Sequence, residues 1–376
     1  MASSPGWESS PQLNLLTVVG ARPQFIKAAV VSRAIAEHNA ASPPMLIAED
    51  LLHTGQHYDH GMSQVFFDEM EVPQPAVNLR VGSGNHGEVT GAMLAGIEKE
   101  ILARRPDRVL VYGDTNSTLA GALAASKLHV PVVHVEAGLR SYNRRMPEEI
   151  NRVVADCLSA VLFCPSEVAR ENLAREGVTR GVYVVGDVMY DAVRYYRQKA
   201  ALPPKLVGPT ARESAGPGRF ALCTLHRAEN TDDPRRLRSI LGALADSPVP
   251  VVLPLHPRTR KFLHQEAIEL DRRVRVLEPI SYFAMLGCLE QCAFVVTDSG
   301  GLQKEAYFLG KRCITVRDET EWTELVACGA NRLAGANADS IRAAFDWAVQ
   351  PLDGGRELYG CGDAGQQIVR RLVEPL

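Results

Sequence analysis

The chain has 376 residues, with 41 basic and 44 acidic side chains and a formal net charge of −3. Hydrophobic residues make up 46% and charged residues 23%, which suits two domains, each with its own core. Charge is near balance and aromatics reach only 6%, whereas a nucleic-acid binder needs a concentrated basic footprint.

The opening MASSPGWESSPQ lacks a basic region followed by an apolar core, so no signal peptide is expected. No apolar run approaches the roughly 20 residues of a membrane span. The eight cysteines are scattered without a CxxC pair. Cys288 and Cys292, four apart on a predicted helix, lack a second ligand pair, so reduced thiols in a cytoplasmic protein are expected rather than a metal site.

In chain order, apolar β-branched runs at 13–20, 108–113, 130–136, 160–164 and 182–186 read as strands buried on both faces. Helical spacing occupies 23–38, 87–105, 117–128, 148–158 and 166–176. This alternation predicts a largely parallel sheet covered by helices. Residues 201–218, rich in Pro, Gly, Ala and Ser, read as a linker. The alternation restarts with strands at 220–224, 250–254, 274–277, 293–297 and 312–316. Helices are expected near 233–244, 259–268, 281–290, 301–309 and 340–350. The predicted architecture is α/β, with two Rossmann-like doubly wound domains. They span 1–200 and 219–355, and 356–376 form a final segment. Ligands of such sheets bind beyond the strand C-termini, so the expected site is a central cleft.

Five polar segments follow strand ends. In GARPQFIK (20–27), Pro23 suits a helix start, and Arg22 and Lys27 add charge beside unpaired N–H groups, a phosphate site or merely a solvated helix start. In YGDTNSTLAGALAA (112–125), Asp114 is either an acid–base group or a helix N-cap. The small residues after it allow close helix–sheet approach. HVEAGLRSYNRRMPEEINR (134–152) places Glu136 at the end of a buried strand and Glu148 and Glu149 in a helix opened by Pro147. Glu148 and Arg152 are four apart and also fit a surface ion pair. TLHRAENTDDP (224–234) sets His226 at a strand end, with His256 in the equivalent place after the next strand. VTDSGGLQKEA (296–306) follows a strand with Ser299, Gly300 and Gly301 in a turn that can cradle phosphate, and Glu305 is placed to accept ribose hydroxyls.

The ordered motifs GARPQFIK, YGDTNST, HVEAGLR, PEEINR, HRAEN and DSGGLQKEA resemble the non-hydrolysing UDP-N-acetylglucosamine 2-epimerase family over essentially the whole chain. The resemblance implies a glycosyltransferase-B-type fold whose last helix crosses back to the first domain. It also implies a UDP-sugar substrate, no cofactor, no metal and no nucleic-acid or membrane partner; a homodimer is expected. The family's catalytic residues fall on Asp114, Glu136, Glu148 and His226. Its substrate-binding residues fall on Arg22, Lys27, Arg152, Ser299, Gly300, Gly301 and Glu305.

Three places depart from the pattern common in that family. Gln24 stands for a Glu, Gln56–His57–Tyr58 for a Gln-His-Arg run, and Trp322–Thr323–Glu324 for an Arg-Pro-Glu run. All three resemble the branch acting on UDP-2,3-diacetamido-2,3-dideoxyglucuronic acid.

The expected reaction is conversion of UDP-N-acetylglucosamine to UDP-N-acetylmannosamine for surface polysaccharide precursors, with the uronic acid as alternative substrate. A hydrolysing 2-epimerase and a UDP-sugar glycosyltransferase are the rival readings. Fold alone does not separate these chemistries.

Overall fold

A computed structural model describes residues 11–55, 70–206, 218–255, 257–352 and 357–375. Gln56–His57–Tyr58, His256 and residues 207–217 of the expected linker lie outside the described residues. The chain divides into two compact units: Met1–Ala192 with Tyr359–Leu376, and Val193–Leu358.

The first unit opens with β1 (Gln12–Val19), α1 (Arg22–Ala40), β2 (Leu46–His53), β3 (Val77–Asn78), α2 (His86–Arg104) and β4 (Arg108–Tyr112). It continues through α3 (Asn116–Lys127), β5 (Val132–Val135), α4 (Pro147–Leu158), β6 (Val161–Cys164), α5 (Glu167–Arg175) and β7 (Val182–Val184), and α6 (Val188–Tyr196) carries the chain from the first unit into the second. Among the described residues its strands form one sheet in the order β3-β2-β1-β4-β5-β6-β7, with every pairing parallel. β4, β5 and β6 are buried at every position, as parallel strands covered on both faces must be. Small residues let α3 press onto the sheet. A Cβ added to Gly121 would lie 2.9 Å from Val111 Cγ1 and 3.5 Å from Val18 Cβ.

The second unit contains β8 (Ala221–Thr224), α7 (Ala228–Thr231), α8 (Pro234–Ala245), β9 (Val251–Pro254), α9 (Pro257–Gln265) and β10 (Val274–Leu277). Then follow α10 (Tyr282–Gln291), β11 (Val295–Thr297), α11 (Gly300–Phe308), β12 (Cys313–Thr315), α12 (Thr323–Ala327), β13 (Asn331–Leu333) and α13 (Ala338–Ala348). The sheet order is β10-β9-β8-β11-β12-β13, again parallel throughout. Its core gathers Leu237, Ile240 and Leu244 of α8, Phe294 beside β11, and Ile341 and Phe345 of α13. Each such side chain contributes about 1.5–3 kcal/mol on burial.

The last helix, α14 (Ala364–Leu372), belongs to the first unit. Asp187 N–H donates to the Tyr359 carbonyl at 3.0 Å, and Gly365 N–H donates to Asp191 Oδ2 at 2.9 Å. Gly365 lets α14 sit close against α1, since a Cβ there would be 3.0 Å from Val30 Cγ1.

The fold class expected from the sequence is observed: α/β, with two Rossmann-like doubly wound units. None of the eight cysteines is in a disulfide. Burial pushes Cys288, Cys292 and Cys313 up to about 12, so they act as small apolar groups. No helix among the described residues is long and apolar enough to cross a membrane.

Candidate active site

In each sheet the strand order reverses at one point, and the loops beyond the flanking strands open the crevice where ligands bind. In the first unit that point lies between β1 and β4. GARPQFIK follows β1 and YGDTNST follows β4, so both motifs stand there. Gln24 ties them together. Its Oε1 accepts from Gly20 N–H at 2.8 Å and Ala21 N–H at 3.0 Å. Its Nε2 donates to the Tyr112 carbonyl at 2.9 Å and Thr118 Oγ1 at 3.1 Å. Gly20 is required there, because a Cβ would fall 2.1 Å from Ser117 Oγ. Arg22 opens α1 beside this knot.

Asp114 is not the cap of α3. Thr115 is, its hydroxyl accepting from Thr118 N–H at 3.4 Å. The Asp114 carboxylate instead accepts from the Arg152 guanidinium, and its carbonyl accepts from Asn151 Nδ2 at 2.9 Å. Arg152, buried on α4, also donates to Glu149 at 2.9 Å. Glu149 is a structural group: it accepts from Ser141 N–H and Tyr142 N–H at 2.9 Å each, and from Ser141 Oγ at 3.0 Å. Glu148, its neighbour in the first turn of α4, is half-buried. The PEEINR motif thus divides its labour: Glu149, Asn151 and Arg152 fix the α4–Asp114 geometry.

Glu136, just past β5, has φ 71°, a left-handed conformation that costs a non-glycine residue about 1–3 kcal/mol. Its N–H donates to the Phe163 carbonyl at 3.0 Å, as does that of Ala137. The Lys27 ammonium donates to the Glu136 carboxylate, and only 7% of that carboxylate-bearing side chain is exposed. Gly113 (φ 61°) completes the corner: a Cβ there would stand 3.2 Å from both Glu136 Oε2 and Lys27 Nζ. Glu136 and Lys27 therefore meet beside the residue that precedes Asp114.

In the second unit the reversal lies between β8 and β11, where HRAEN and DSGGLQKEA stand. Asp298, fully buried, organises this end. It accepts from His226 Nδ1 at 2.7 Å, His226 N–H at 3.0 Å, Arg227 N–H at 3.0 Å and Asn230 Nδ2 at 3.3 Å. Burial alone would raise its pKa. The hydrogen bonds and charge of His226 and the backbone donors outweigh that, and hold the carboxyl below its usual range. Ser299 caps α11, its hydroxyl accepting from Leu302 N–H at 3.4 Å. Gly300 and Gly301 form the first turn of α11, and Glu305 is buried on the next. Trp322 of the third departing segment is buried, with Lys304 Nζ 4.1 Å from its ring centroid.

A family model described as UDP-N-acetylglucosamine 2-epimerase matches residues 43–373. The chain belongs to that family. It is 50% identical over 372 residues to a UDP-2,3-diacetamido-2,3-dideoxy-D-glucuronate 2-epimerase of Pseudomonas aeruginosa, covering 96% of this chain and 100% of the relative. A crystal structure of the Methanocaldococcus jannaschii UDP-GlcNAc 2-epimerase with UDP-GlcNAc and UDP is similar at TM-score 0.85 and 39% identity, over 96% of this chain and 99% of that one. The Neisseria meningitidis UDP-GlcNAc 2-epimerase bound to UDP-GlcNAc follows at TM-score 0.83 and 30% identity, over 96% and 100%. The glycosyltransferase-B-type α/β fold expected from the motifs is the fold of these epimerases.

Within this epimerase fold, Asp114 and Arg152 meet, as do Lys27 and Glu136, while Arg22 and Glu148 stand in the first turns of α1 and α4. His226 and the Ser299–Gly301 turn share the strand ends of the second unit. Sequence reading gave no role to Gln24, Asn151 or Asp298. For Asp298 the signal was available: a carboxylate ending a buried strand, next to the strand that ends in His226.

Proposed function

We propose that this epimerase inverts carbon 2 of a UDP-2-acetamido sugar without hydrolysing it. The C2 proton is not acidic, because no carbonyl adjoins it. Loss of UDP from carbon 1 supplies the route. A base removes the C2 proton, the C1–O bond breaks with its electron pair leaving on UDP, and a 2-acetamidoglucal forms. UDP then re-adds at carbon 1 while an acid protonates the opposite face of carbon 2.

Two faces call for two acid–base groups. Asp114, Glu136 and Glu148 are the candidates, with Arg152 and Lys27 orienting the first two. Arg22, His226 and the Ser299–Gly301 turn stabilise charge on the leaving diphosphate, and Glu305 binds ribose. The His226 Nδ1 proton is donated to Asp298, so Nε2 is the ring nitrogen that serves the phosphate. The observation that carries this reading is the convergence of three polar segments with Glu136, strained and ion-paired, beside the Asp114 loop of an epimerase-family fold.

Two sugars compete. The motifs alone pointed first to UDP-N-acetylglucosamine. The full-length match to the Pseudomonas uronate enzyme favours UDP-2,3-diacetamido-2,3-dideoxyglucuronic acid, and so does Gln24. Gln24 is one of the three places where the sequence resembles that branch. Assayed side by side, the uronic acid should show a kcat/KM at least about tenfold higher, the lower end of what one differing pocket contact gives. Equal or better turnover of UDP-N-acetylglucosamine would reverse the assignment. The biosynthetic role that follows is supply of a 2-epimeric UDP-sugar for surface polysaccharide.

A further inference from the structure

The His134 ring is completely buried, and both its nitrogens face acceptors. Nδ1 lies 2.7 Å from Asp156 Oδ1, and Nε2 lies 2.7 Å from the Gly113 carbonyl oxygen. A carbonyl can only accept, and so can an ionised carboxylate. Asp156 is held in that form. Burial is the largest influence on it and would raise its pKa. Its other oxygen accepts from the buried Arg140 guanidinium and from Gly138 N–H, which keep the carboxyl ionised against burial, and the net shift is downward. A neutral imidazole would turn a lone pair toward one of the two oxygens at hydrogen-bond distance.

We infer that His134 is a doubly protonated positioning residue, an imidazolium that fixes the loops carrying Asp114 and Glu136. This rests on reading those two carboxylates as the acid–base groups.

Charge within the cluster supports it. Arg140 donates to Asp156 Oδ2 at 2.6 Å and, through Nε and Nη2, to both Glu176 oxygens at 2.7 and 2.6 Å. With a cationic His134 the four groups sum to zero; with a neutral ring they sum to −1, and water reaches only the Glu176 carboxylate among them. The other titratable group recorded near Asp156 on the adjacent strand is Cys164. Burial pushes its thiol up to about 12, so it is uncharged.

The same node joins three segments of the first unit. His134 reaches the Gly113 carbonyl, one peptide before Asp114. Asp156 Oδ2 accepts from Gly138 N–H at 3.1 Å, two residues after Glu136. Asp156 itself belongs to α4, which also carries Glu148, Asn151 and Arg152. A charge-assisted bond at each arm is stronger and more directional than a neutral one. Losing one lets a reacting group move by the fraction of an ångström that matters to a proton transfer.

The protonation state is read directly by NMR of the full chain labelled with ¹⁵N at histidine, with the His134 signals assigned by their absence from His134→Gln. At neutral pH both ring nitrogens should show the closely similar shifts of an imidazolium. In Asp156→Asn, which removes the counter-ion, the ring should show the widely split shifts of a neutral tautomer. A neutral ring in the wild-type protein would overturn the inference, whatever the fate of the variants. The positioning role predicts that His134→Gln lowers kcat about 10–100-fold while the UDP-sugar KM and the UDP Kd stay within about twofold. An unchanged kcat would refute that role. Failure of the functional reading is distinguishable, because the wild-type enzyme would then turn over neither UDP-sugar while the imidazolium signals persist.

Discussion

Glu136→Gln lowers turnover of the UDP-sugar by about 100-fold or more and leaves UDP affinity within about twofold of wild type. The amide keeps the volume and most of the contacts of the carboxylate but can neither take nor return a proton. The strained φ of 71° at this position and its Lys27 partner mark a group held where an unconstrained chain would not place it. Pre-steady-state and steady-state kinetics on purified variants, with calorimetry for UDP, check both halves. A Glu136→Gln enzyme within threefold or so of wild type would remove Glu136 from the chemistry.

Asp298→Asn is expected to lower kcat by about 100-fold through His226, without changing any group that meets the substrate. The carboxylate accepts four donors from the 226–230 segment. An amide offers only one oxygen, and its NH₂ faces donors. The ring then loses the partner that fixes its tautomer, the effect that makes Asp→Asn costly wherever a buried Asp orients a catalytic His. Donors left unsatisfied in a buried site add about 1–3 kcal/mol of destabilisation, so thermal melts should fall as well. Because the two residues act as one unit, the Asp298→Asn/His226→Ala double variant should be no slower than His226→Ala alone. Fully multiplicative losses would show that Asp298 acts by another route.

Much of the fold was legible because parallel strands buried on both faces leave long apolar runs, as RVLVY and VVHV do. β2 was not read from the sequence. Its LIAEDLLH carries Glu49 and Asp50 in the middle of the run, yet it pairs with β1 over eight residues. The tertiary register overrides a local pattern that charge had blurred. At the site, the motif positions were legible, but their partners were not. The sequence left Asp114 either cap or catalytic group, and only the hydroxyl geometry of Thr115, one residue on, removes the cap. His134 read as part of an apolar run, since its pairing with Asp156, 22 residues away, exists only once α4 packs on β5. Likewise the i, i+4 spacing of Glu148 and Arg152 gave no sign that the folded helix brings Arg152 to Glu149 and Asp114.

The central claim is that carbon 2 exchanges its proton while UDP departs and returns. Incubation of the enzyme with UDP-2,3-diacetamido-2,3-dideoxyglucuronic acid, and separately with UDP-N-acetylglucosamine, in deuterium oxide tests it most directly, with products identified by mass spectrometry and NMR. The account predicts a 2-epimeric product that still carries UDP and holds deuterium at carbon 2. Release of free sugar with stoichiometric UDP, or an epimer that retains the original proton at carbon 2, would contradict it.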